Sequence, residues 1–166
     1  EDLLLNAERR AIQGRYEDAI GRIYRAIELI AQIRLKTRYN QDTGNIIIDS
    51  LFQNEDFRTK LEKYRNNENK KIEIGLRTSY DLLYELKDIV FQPWYQENKN
   101  RLFNYLTHRN NSLFAHGFKA IDQYTYEKEV PPMIELIRQL LDDIYKHEKI
   151  KRTEISQFPI NVSKWL

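Results

Sequence analysis

The sequence predicts an all-α protein, a single-domain bundle of about five to seven helices, on three observations. Only 5 Gly and 4 Pro punctuate 166 residues, too few for the dense turns of a sandwich or barrel. The remainder is rich in Leu, Ile, Tyr, Glu, Lys and Arg, a composition that favours helix. Apolar residues also recur every three or four positions through several long segments, the period of a helix with one buried face. The length suits one domain with a proper core.

A first helix is expected from Asp2 to about Gln13, with Gly14 breaking it. A second runs from Tyr16 toward Thr37, its buried face marked by Ile20, Ile23, Tyr24, Ile27, Ile30 and Ala31. The two should form an antiparallel hairpin. The stretch "GRYEDAIGRIYRAIELI" is also similar to half of a tetratricopeptide repeat, which raises the rival reading of a helical protein-binding scaffold. No second copy follows at the period of about 34 residues, and such scaffolds need several stacked repeats.

Residues 39–45, "YNQDTGN", read as a loop. Residues 46–64 should hold one or two short helices, with Asn54 as a cap, and 65–71, "RNNENKK", form a solvated connection. Thr78 or Ser79 can cap the next helix, whose stripe of Leu82, Leu83, Leu86, Ile89 and Val90 ends before Pro93. Pro93 fits the first turn of a further helix from about Trp94 to His116, with Gly117 as its left-handed terminator. After a Tyr-rich loop, Pro131 and Pro132 should start a last helix reaching about His147. The tail from 149 to 166 alternates enough for a short strand or for a docked extended arm, and the pattern leaves both open.

Charge and composition narrow the function classes. Lys and Arg number 27 against 25 Asp and Glu, a net charge of +2, so any nucleic-acid contact must be local. The 11 Tyr and 7 Phe could stack on bases, though core packing and a dimer interface are commoner uses. Zero Cys excludes a disulfide framework, a thiolate metal site and a cysteine nucleophile, and fits a reducing compartment. No apolar run approaches the ~20 residues that cross a bilayer, and no signal-peptide pattern opens the sequence. A cytoplasmic protein is the expectation. The chain starts at Glu1 and enters a helical pattern at once, which suggests a segment of something longer.

The stretch with chemical content is "RNNSLFAHG", residues 109–117. Seven residues turn a helix by about 700°, so Arg109 and His116 fall within about 20° of one line, roughly 10.5 Å apart along the axis. Leu102 shares that line and Leu106 and Leu113 lie about 40° away, so a cation and an imidazole border the apolar stripe. Spacing alone is weak, because Arg101 and His108 repeat it. Context separates the pairs. Arg109 is followed by Asn110, Asn111 and Ser112, which lower helix propensity, and His116 by Gly117. No metal-ligand cluster accompanies either pair, so no metal or cofactor is expected.

"RNNSLFAHG" resembles the Arg-Asn-(several)-His signature of HEPN domains, the helical ribonucleases of higher eukaryotes and prokaryotes. Together with "NAERRAIQGRYEDAIGRIYRAIELIAQ" and "GLRTSYDLLYELKD", the similarity spans roughly residues 3–158. It looks like the C-terminal half of CRISPR-associated proteins in which a CARF sensor domain binds cyclic oligoadenylate and controls the nuclease. The resemblance implies an HEPN-like bundle and metal-independent cleavage of single-stranded RNA. The 2′-OH would attack the adjacent phosphorus, leaving a 2′,3′-cyclic phosphate. It implies Arg109 and His116 as catalytic residues, Asn110 in support, and a homodimer that brings two motifs into one cleft. Cyclic oligoadenylate would act only through a sensor outside this chain. The alternative is a non-catalytic helical module for dimerisation or protein docking.

Overall fold

The computed structural model describes residues 1–51, 55–110 and 122–150. Among them are six α-helices: α1 (Asp2–Ile12), α2 (Tyr16–Tyr39), α3 (Glu55–Glu62), α4 (Leu76–Glu85), α5 (Phe91–Asn110) and α6 (Gln123–Glu148). A single 3-10 turn covers Ile48–Ser50, and the described residues hold isolated β-bridges but no strand. The protein is all-α, as its composition and periodicity require. Its described residues gather into two compact units, one drawn from 1–26 and 98–150, the other from 27–97.

In the first unit, α1 ends as the sequence indicates. Gly14 takes a left-handed φ of 72°. Its N–H bonds to the carbonyl of Ala11 at 2.8 Å, and the next N–H, of Arg15, reaches back to Arg10 at 2.9 Å. This pair of bonds is the Schellman motif, which satisfies carbonyls a helix end would otherwise leave bare. A Cβ at Gly14 would meet nothing within 4 Å, so Gly14→Ala should cost only the left-handed backbone, about 1 kcal/mol. A thermal melt should show Tm lower by roughly 2–4 °C; an unchanged Tm would mean the turn does not need a left-handed residue. The reversal lets Arg10 reach Asp18 of α2 at 3.5 Å. On α6, Arg138 binds Glu8 of α1 at 2.9 Å, and the rings of Tyr16 and Tyr126 lie 5.0 Å apart.

The last helix corrects one expectation. Pro131 and Pro132 do not start α6 but lie inside it, and Asp122 caps it by accepting the N–H of Thr125 at 2.8 Å. The prolines are exposed, while Tyr126, Val130, Met133 and Ile134 are buried on either side of them. Burial of that stripe outweighs the backbone bonds two prolines remove. The tail from 151 lies outside the described residues, as does the Asn54 cap.

In the second unit, Tyr80 is the centre of the core. Its ring contacts Phe91, Trp94 and Tyr95 at centroid distances of 5.7, 5.9 and 5.7 Å. Its hydroxyl donates to the carbonyl of Ile27 at 3.0 Å, and burial pushes its pKa far up. The capping expectation for α4 also fails. The helix starts at Leu76 behind Gly75, and Thr78 and Ser79 are buried within its first turn. Ser79 donates to the carbonyl of Gly75 at 2.9 Å and Thr78 to the Tyr64 hydroxyl at 3.1 Å, so both hydroxyls find partners that need no capping role. The apolar stripe stops early as well. α4 ends at Glu85, Lys87 turns left-handed at φ 53°, and Ile89 is 66% exposed.

Candidate functional site

α5 holds the first two residues of the motif stretch, Arg109 and Asn110, and its start is built by a side chain absent from the sequence expectations. The carboxylate of Asp88 accepts the N–H groups of Val90 and Phe91, each at 3.0 Å, the arrangement of an N-cap. Asp88 is only 1% exposed and would be costly to bury as a bare charge. Arg34 of α2, 4% exposed, meets it with two bonds, Nε to Oδ2 at 2.7 Å and an Nη2 to Oδ1 at 3.2 Å. The Tyr39 hydroxyl adds a third at 2.8 Å. Burial alone would raise the Asp88 pKa; the guanidinium, the Phe91 N–H and the Tyr39 hydroxyl together outweigh it and hold the carboxyl below the usual carboxylate range. Tyr39 in turn is pushed well up, first by burial and then by its bond to Asp88. The sequence signal for this cap was an Asp five residues before Pro93. Reading Ile89 and Val90 as helix interior hid it.

Toward its other end α5 buries Leu102, Tyr105 and Leu106, and the Tyr105 hydroxyl donates to the carbonyl of Ile20 at 3.4 Å. Position 109 falls seven residues after Leu102 and one turn after Tyr105 on α5, so in helical register it shares the line of Leu102. Arg101 stands one step off that line and is exposed. Arg109 and Asn110 belong to the last turn of α5, but their side chains lie outside the described residues. So do the side chain of His108 and the whole of 111–121, including His116 and Gly117. His147 sits in the last turn of α6, where a cationic residue suits the helix dipole.

One hollow of the first unit is poorly suited to a polyanion. It has a volume of about 570 Å³ and is lined by Glu8, Tyr16, Gln123, Tyr126 and Glu127 among others. Its two carboxylates would repel phosphate. Among the described residues no group of three or more His, Asp or Glu could hold a metal ion. No helix of the described residues is long and apolar enough to cross a membrane.

Comparison with known proteins adds one finding. A family model described as "Csm6 HEPN domain" matches residues 1–149. No curated protein and no solved structure matches the chain.

Proposed function

Because the chain belongs to the Csm6 HEPN domain family, matched over residues 1–149, we propose that it is the endoribonuclease domain of a CRISPR-linked defence protein and cleaves single-stranded RNA without a metal. HEPN domains are generally ribonucleases. What carries the reading is that the matched span contains "RNNSLFAHG", where Arg-Asn is followed by His. The other Arg-Asn pair of the sequence, Arg65 and Asn66, has no histidine within reach along the chain.

The chemistry follows from these residue types. The Arg109 guanidinium offers a planar, permanently charged fork to a phosphate, where lysine would offer a point charge. An imidazole with an ordinary pKa of about 6.5 can take or give a proton at neutral pH. The 2′-oxygen attacks phosphorus as one His116 removes its proton; the bond from phosphorus to the 5′-oxygen breaks as a second His116 returns one. The products are a 2′,3′-cyclic phosphate and a free 5′-hydroxyl. The second imidazole comes from a second copy of the chain, which makes the homodimer the unit of function. Asn110 orients the phosphate or the Arg109 fork by hydrogen bonds. In the full-length protein a cyclic-oligoadenylate sensor governs this activity from outside the chain.

Labelled single-stranded RNA incubated with the purified chain and EDTA tests the reading. Fragments ending in a 2′,3′-cyclic phosphate are expected. Cleavage abolished by EDTA, or products with 3′-hydroxyl ends, would overturn it.

A further inference from the structure

The Schellman turn at Gly14 does more than end α1. It joins Arg10 and Arg15 by a backbone bond of 2.9 Å, so both guanidinia leave from one rigid corner. Arg15 stands just before α2, its carbonyl accepting the N–H of Ala19, and Arg22 follows it by seven residues, on nearly the same line and roughly 10.5 Å along the axis. Asp18 sits between them. It meets Arg15 at 2.9 Å, Arg10 at 3.5 Å and Arg22 at 3.9 Å. The remaining side-chain bond of the group runs from Arg10 to the Gln13 amide oxygen at 3.1 Å.

Three cations thus share one carboxylate, and among the described residues no second carboxylate pairs with any of them. The Arg22 contact is at the limit of an ion pair, and its Nε–H is buried with no acceptor. The corner keeps an excess of two positive charges on a chain whose whole net charge is +2. Several partly filled guanidinium forks held at fixed spacing suit oxygen anions in series, as a phosphodiester backbone presents them. Tyr105 contacts α2 at Ile20, between Asp18 and Arg22 in sequence, so the motif helix and the corner share this stretch of α2. Asp18 and Arg22 each lie about 200° around α2 from Ile20, on its other side.

We propose that Arg10, Arg15 and Arg22 form a phosphate subsite that holds the backbone of the RNA substrate away from the scissile bond. This rests on the ribonuclease reading for the identity of the anion.

The test is binding of a 2′-O-methylated oligouridylate, which lacks the attacking hydroxyl, followed by fluorescence anisotropy across a salt series. Replacing the three arginines together by glutamine should weaken binding at low salt roughly tenfold and flatten the slope of log K against log salt by roughly 1.4, two contacts at about 0.7 each. Asp18→Asn should act the other way and tighten binding, because it frees the cations. A triple variant that binds with the parental slope, or an Asp18→Asn chain that binds more weakly, overturns the subsite; circular dichroism confirms that each variant is folded. Cleavage of unmodified RNA is scored separately. Parental cleavage with an unchanged slope removes the subsite alone, whereas no cleavage with a flattened slope removes the nuclease reading alone.

Discussion

Asp88→Ala is expected to cost the fold about 3–5 kcal/mol, the range for breaking a buried ion pair from one side. The change removes three things at once. Val90 and Phe91 lose the acceptor of their N–H groups, a cap of about 1 kcal/mol. Arg34 keeps its charge with almost no access to water, and the Tyr39 hydroxyl loses its partner. Urea denaturation at neutral pH measures the loss, and a value below about 1 kcal/mol would show that water reaches the pair. Combining Arg34→Met with Asp88→Ala should cost less than the sum of the two, because each single change strands the partner the other removes.

The same pair sets a pH dependence with a definite sign. The folded pKa of Asp88 lies below that of an unfolded aspartate, so its contribution is complete above the unfolded value of about 3.9. It is lost as pH falls through the folded pKa. The gap between the parent and Asp88→Ala should therefore narrow only in acid.

The second large effect is on chemistry. His116→Ala should lower RNA cleavage by about 10²–10⁴, the span of general acid–base catalysis by one group. On the proposed mechanism Arg109→Ala should cost at least about 10², since it would remove the charge assigned to the developing phosphorane. Mixing the parent with excess His116→Ala should suppress cleavage per parental chain if the proposed homodimer is the unit of function, because mixed dimers would then hold one imidazole for two proton transfers. Activity that simply scales with the parental fraction would show that each chain works alone. A bell-shaped pH profile in the parent, with one limb lost in mixed dimers, would separate acid from base.

How much of this was legible depended on the range of each force. Gly14 announced its turn because a left-handed φ is a property of one residue, and the helices on either side followed from local periodicity. The motif stretch offered only the chemistry of its residue types, Arg109, Asn110 and His116, and spacing could not separate it from Arg101 and His108. The capping of α4 was misread because hydroxyls near a helix start can serve packing instead. Thr78 and Ser79 are interior residues only because Tyr64 and Gly75 stand where they do.

The sequence by itself determined the helical class, the first reversal of the chain and the residue types at the motif. These rest on backbone propensity, on single-residue conformations and on side-chain chemistry, all short-ranged. Tertiary structure alone decided where α5 begins, because a buried Asp88 is tolerable only opposite Arg34, 54 residues earlier in the chain. It also decided that α6 runs through Pro131 and Pro132, since the gain from burying Val130 and Met133 depends on what packs against them. Desolvation and packing are properties of an environment, and an environment does not exist until the chain has folded.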